Sequence, residues 1–232
     1  MHKTIAALLA GAGFLLAPSL ALAHISASSA SSGPGIANAT QEIVFGVGHG
    51  CEGADTYSVR VEIPAGVTSV RPMTSDFGKA TVEKNSAGTI TAILWQKADE
   101  ELQPSDTHYY KLSVRLKLPN QPFTTLYFPT RQTCKSSDGT ITTTDWVGTP
   151  TVTAPEPAPA LVVVPARAPG WNKFTVPADI SDLKAYFSDA QIVWKGTSAY
   201  TANPATEELV KATSGVTVLS SLKANDEIWV RY

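Results

Sequence analysis

Two stretches of strict alternation constrain this chain most. Tyr57-Ser58-Val59-Arg60-Val61-Glu62-Ile63 switches between apolar and polar side chains almost without fault, and Lys111 to Leu118 sets Leu112, Val114, Leu116 and Leu118 on one side. Successive side chains of a strand point to opposite faces, so each run must lie with one face on a core and the other in water. Glu42 to Val47, Ala80 to Glu83, Thr89 to Trp95 and Leu126 to Phe128 are further strand candidates, with Pro64-Ala65-Gly66 ending one run and Asn85-Ser86-Ala87-Gly88 signalling a hairpin. Short strands at this spacing, with Gly and Pro turns and almost no helical periodicity, describe a mainly β protein built on an antiparallel β-sandwich over residues 24–148. Within it, His24 to Asn38 is dominated by Ser, Ala and Gly, with a turn signal at Gly33-Pro34-Gly35, and is expected to be extended or loop-like.

Three other segments flank the sandwich. Met1-His2-Lys3, the apolar stretch Ile5 to Leu16, Pro18 and the small-residue pattern ending at Ala23 read as an export signal over residues 1–23, cleaved before His24. Residues 149–164 are rich in Pro, Thr and Ala, with Pro155-Glu156-Pro157-Ala158-Pro159 expected to be a semi-rigid spacer; Leu161 to Val164 is alternatively the first strand of the C-terminal module. That module, residues 165–232, reads as small and β-rich or α+β. Its strands are expected around Phe174, Ile192, Val216 and Glu227 to Tyr232, and its short helices at Ser181 to Phe187 and Thr206 to Ala212. Trp171, Trp194, Tyr200 and Trp229 are expected to form the core of this module, the alternative being an aromatic surface for a sugar or a partner.

With 18 Lys and Arg against 20 Asp and Glu, the formal charge of −2 gives no sign of a nucleic-acid partner. No segment after residue 23 is long and apolar enough to span a membrane. The expected setting is therefore the periplasm or another exported location, where the two cysteines, Cys51 and Cys134, favour a disulfide over a Cys/His metal site.

Cleavage before His24 would leave a histidine carrying both an α-amine and an imidazole. The two nitrogens can close a chelate ring on one metal, which no internal histidine can do. Nitrogen donors in a plane suit Cu(II), which stands at the top of the divalent affinity order. The α-amine has a reference pKa of about 7.7 to 8.0, so binding there should release a proton and weaken in acid.

Several pieces form an ordered set: His24 after Ala-x-Ala, Gly48-His49-Gly50-Cys51-Glu52-Gly53, Val61 to Val67, Val70-Arg71-Pro72-Met73, Leu126 to Pro129, Gln132-Thr133-Cys134 and Asp145-Trp146. Together they resemble the YcnI-like family of bacterial exported copper-binding proteins over roughly residues 24 to 150. The resemblance implies an immunoglobulin-like sandwich that binds Cu(II) through the amine and imidazole of the leading histidine, here His24. A tryptophan near the domain's end, here Trp146, lies close to the metal. Family members with a glutamate in the intermediate loop use it as a ligand, whereas this chain offers His49 and Glu52. A neutral imidazole is the better Cu(II) donor, which favours His49 as third ligand, with Glu52 as its supporting or water-bridged partner.

The function expected from these readings is a Cu(II) chaperone or store that hands copper to a transporter or cuproenzyme, without catalysis of its own. Two alternatives stand beside it. A chelating N-terminal histidine with a second histidine also makes the copper site of oxidative polysaccharide-cleaving monooxygenases. A sandwich domain can equally serve adhesion or structure without metal.

Overall fold

The computed structural model describes residues 24–232; the expected export signal, residues 1–23, lies outside the described residues. The chain is mainly β, in two packed parts. Its first part is a sandwich of two large sheets with a small sheet closing one end. One large sheet has four strands, β1 (Ser26–Ser29), β3 (Thr40–Val47), β8 (Tyr110–Lys117) and β5 (Thr68–Pro72), in that order. The other has six: β12 (Glu156–Pro157), β11 (Ile141–Gly148), β10 (Thr130–Lys135), β4 (Asp55–Glu62), β7 (Ile90–Gln96) and β6 (Lys79–Lys84). The small sheet is β2 (Gly35–Ile36), β13 (Ala160–Val164) and β9 (Thr124–Tyr127). Pairing within these three sheets is antiparallel except between β11 and β12 and between β13 and β2.

The alternating runs fold as their period demands. Val59 and Val61 of β4 and Leu112, Val114 and Leu116 of β8 are fully buried and share one core with Ile43, Phe45, Ile93 and Trp95. At about 25 cal/mol per Å² of apolar surface, each of these side chains contributes on the order of 1.5 to 3 kcal/mol to the sandwich. Phe45 packs edge-on against Phe128 with ring centroids 5.2 Å apart, filling the space between the sheets.

The stretch expected to be loop-like contains β1, which pairs antiparallel with β3 from Ser26 opposite Gly46 to Ser29 opposite Ile43. Its small side chains carry no apolar alternation, so the pairing rests on backbone hydrogen bonds and on Ile25, which is buried in the core. That burial pins the residue before it, His24.

The second difference concerns residues 149–164, expected as a spacer. Glu156–Pro157 joins the edge of the six-stranded sheet, and Ala160–Val164 pairs with β2 and β9, burying Leu161 and Val163 in the sandwich core. The prolines do not prevent this, because β12 is a two-residue edge strand where missing N–H groups cost little.

The C-terminal part is a five-stranded sheet, ordered β14 (Trp171–Thr175), β18 (Glu227–Arg231), β15 (Ile192–Lys195), β16 (Ser198–Tyr200) and β17 (Thr217–Val218), with two helices, α1 (Leu183–Phe187) and α2 (Pro204–Ala212). Asn203 caps α2 by accepting hydrogen bonds from the N–H groups of Ala205 and Thr206, with Pro204 at the first helical position. Its core is Val176, Leu183, Phe187, Val193, Leu222, Ile228 and Val230, joined by Phe123 from the sandwich. The expectation that the tryptophans form this core does not hold for Trp171 and Trp229, each 51% exposed. The aliphatic residues of β18 took the inner face, and strict alternation sent Trp229 outward. Among the described residues no helix is long and apolar enough to cross a membrane.

Candidate metal centre

His24 sits where β1 begins, held by buried Ile25 on one side of the sandwich rim. Trp146 comes from β11, which alternates exposed and inward residues until Trp146 turns into the core. The two rings meet edge to face, with centroids 5.8 Å apart and planes at 88°. The leading histidine and the late tryptophan are thus brought together.

The indole is fixed from behind. Its Nε1–H donates to Oε1 of buried Gln132 at 3.2 Å, while the Gln132 amide donates to the carbonyl of His49 at 2.8 Å and to Thr56 Oγ1 at 2.9 Å. Both ends of the Gln132 amide are used, which sets its orientation and that of the indole.

Glu156 enters from the sheet edge. Pairing of β12 with β11 places it as the direct partner of Trp146, and Pro155 and Pro157 on either side hold the backbone extended. Gly148 permits the approach, since a Cβ there would stand 3.0 Å from the Glu156 carbonyl oxygen. The carboxylate Oε2 lies 3.9 Å from His24 Nδ1. That oxygen is buried and has no hydrogen-bond donor among the described residues.

His49 and Glu52 stand differently. His49 is exposed, and its Nδ1 contacts the carbonyl of Gly50 in its own loop. Gly50 must lack a side chain, because a Cβ there would fall 1.8 Å from the Ala54 carbonyl oxygen. Glu52 is exposed in the tight turn Cys51 to Ala54, whose two central residues have φ of 50° and 87°. Such a turn joins two strands with both central residues left-handed. Among the described residues no hydrogen bond, ion pair or ring contact joins either side chain to His24, and no three His, Cys, Asp or Glu side chains cluster closely enough to hold a metal. The His49 loop reaches the site through its backbone carbonyl and Gln132.

A disulfide between Cys51 and Cys134, with Cα atoms 5.7 Å apart, ties this loop to β10, the strand that carries Gln132. The sequence singled out His24, Trp146 and the two cysteines; Glu156 and Gln132, which the structure places beside them, were not singled out. A single carboxylate clamped between two prolines was the available signal for Glu156; nothing in the local pattern marked Gln132.

Two donors 3.9 Å apart lie within reach of one ion bonded to each at about 2 Å, and the orphaned oxygen gives that ion a charge to neutralise. The two side chains offer one donor each, so an ion here would also need the His24 α-amine or water. Near the same rim, Arg131 and Asp145, opposite each other on β10 and β11, form a bidentate pair that holds the Asp145 carboxyl below its usual range.

Fold and site together define a β-sandwich protein with a histidine, tryptophan and glutamate gathered at its rim. Residues 24–163 match the family described as a domain of unknown function, DUF1775, and the chain belongs to that family. No curated protein matches the chain. Among solved structures, an uncharacterized protein from Nocardia farcinica, described as having an immunoglobulin-like fold, is 24% identical, with a TM-score of 0.48. The similarity covers 61% of this chain and 98% of that one. The major pilin subunit BcpA of Bacillus cereus, in a D312A variant, is 9% identical over 89% of this chain and 55% of its own, with a TM-score of 0.37.

Proposed function

We propose that this is an exported Cu(II)-binding protein of the YcnI-like kind, a chaperone or store whose metal is held by the amine and imidazole of His24 and by the carboxylate of Glu156. The observation that carries the reading is the buried Oε2 of Glu156 beside the His24 ring, which has no donor among the described residues. A bound Cu(II) would supply the positive charge that this oxygen lacks.

Each protein group has a defined part. Buried Ile25 holds His24 at the rim, leaving its side chain 46% exposed, so a metal can enter and leave. Trp146 covers one side of the imidazole and excludes water there. Gln132 holds the indole in place. Glu156 replaces the expected third ligand His49, and Glu52 has no part in the donor set. The DUF1775 match over residues 24–163, which includes Glu156, supports this reading, as does the ordered motif set.

The test is Cu(II) titration of the chain starting at His24, followed by electron paramagnetic resonance, against a form with one extra residue before His24. A tetragonal, nitrogen-coordinated signal that the extension abolishes is the expected result. Equal binding by both forms, or by neither, overturns the proposal.

A further inference from the structure

The outer face of the C-terminal sheet carries an aromatic array that the copper reading leaves unused. Strand β18 alternates, with Ile228 and Val230 fully buried and Glu227, Trp229 and Arg231 outward. Register places Trp171 of β14 opposite Arg231, Lys173 opposite Trp229, and Trp194 of β15 opposite Trp229 from the other side. Three indoles therefore share one face across three adjacent strands. Directly opposed side chains start about 5 Å apart and diagonal ones about 7 to 8 Å, so the indoles are neighbours on that face. Trp171 and Trp229 are each 51% exposed, although burying them would gain more than burying any aliphatic neighbour.

The side chains between the indoles narrow what can lie on them. Charged and polar groups, Lys173, Thr175, Glu227 and Arg231, stand directly beside the rings, with Ile192, Ala199 and Val218 following on the same face across β15 to β17. A pyranose has a C–H face that lies flat on an indole and an edge of hydroxyls that needs donors and acceptors nearby, and this face offers both. Charge then selects the kind of sugar. Lys173 is neutralised by Glu227 at 2.7 Å, whereas Arg231, with its guanidinium carbon 6.0 Å from the Trp171 ring centroid, has no acidic partner among the described residues. A guanidinium next to a stacking platform is suited to a carboxylate, which it grips with two parallel hydrogen bonds.

We propose that the face formed by Trp171, Trp194, Trp229 and Arg231 binds an acidic polysaccharide, its sugar rings stacked on the indoles and a uronate carboxylate on Arg231. This binding requires no copper and does not depend on the His24 site.

The experiment is isothermal titration of the whole chain from His24 to Tyr232 with an oligogalacturonate, and with a neutral cello-oligosaccharide of equal length. Saturable binding of the acidic oligomer, at least tenfold weaker for the neutral one, is expected. Trp229→Ala should weaken it at least tenfold, and Arg231→Gln should do so while flattening its salt dependence. Both residues are exposed, and circular dichroism checks that the variants fold. No binding of the oligogalacturonate, or undiminished binding by a Trp171→Ala/Trp229→Ala double variant, overturns the proposal. So does equal affinity for the neutral oligomer. Sedimentation showing a dimer that Trp229→Ala converts to monomer would assign the face to a second copy of the chain instead.

Discussion

His24 Nδ1 and Glu156 Oε2 lie 3.9 Å apart, and the buried oxygen has no donor among the described residues, although 132 positions separate the two residues along the chain. Their meeting depends on a strand at each end of the domain. Glu156→Gln removes the charge while keeping the shape, and should lower Cu(II) affinity of the chain starting at His24 by about tenfold or more, in the range of altered metal-site partners. His49→Ala and Glu52→Gln should each change it by less than about twofold. A competitive chelator titration measures all three, and a loss at His49 as large as at Glu156 would restore the imidazole as third ligand.

Trp146 is 5% exposed and packed in the sandwich core. Trp146→Ala should cost about 3 to 5 kcal/mol in urea unfolding. Trp146→Phe retains most of the packing but leaves Gln132 Oε1 without its donor, so a loss of about 1 to 3 kcal/mol is expected. Adding Gln132→Leu to Trp146→Phe should increase that loss, because the His49 carbonyl and Thr56 Oγ1 then lose the Gln132 amide donor as well.

The Cys51–Cys134 bridge spans 83 positions. A closed loop of that length corresponds to about 4 to 5 kcal/mol in the chain-entropy description. A Cys51→Ser/Cys134→Ser variant should unfold at markedly lower urea concentration. It should also weaken copper binding, since the bridge joins the His49 loop to the strand bearing Gln132.

Lys97 and Asp55, with side chains 3% and 0% exposed, form an ion pair at 2.6 Å inside the sandwich, where Tyr110 and the Gln103 N–H also donate to Asp55. The Lys97 ammonium lies 4.0 Å from the centroid of the Tyr110 ring. Lys97→Met strands a buried carboxylate and should cost about 3 to 5 kcal/mol, whereas Lys97→Met with Asp55→Asn should recover much of it. Urea unfolding of the two single variants and the double variant completes the cycle.

Burial first, and the hydrogen bond to Asp55 second, push the Tyr110 hydroxyl well above the ordinary tyrosine range; burial also raises Tyr200 and Tyr232. The folded protein then keeps protons that the unfolded chain releases above about pH 10. Stability is accordingly full below that pH and falls as pH rises beyond it. Urea unfolding at about pH 9 and about pH 11 should show this decline, and Tyr110→Phe should make it shallower.

The runs whose inner faces build the sandwich are legible in the amino-acid order. Alternation in Tyr57 to Ile63 and Lys111 to Leu118 leaves a strand only one way to bury its apolar side, and those runs lie where their pattern requires. His24 and Trp146 are legible as well, but their neighbours come from the folded chain alone. A two-residue strand such as Glu156–Pro157 is too short to show a period, so its pairing with β11, and with it the carboxylate at the site, is set by the shape of the finished sheet edge. The same holds for the tryptophans of the C-terminal sheet. In Glu227 to Arg231 both faces offer apolar residues, Ile228 and Val230 on one and Trp229 on the other. Packing against Phe187, Leu222 and Phe123 selected the aliphatic side for the core, and the indoles were left in water.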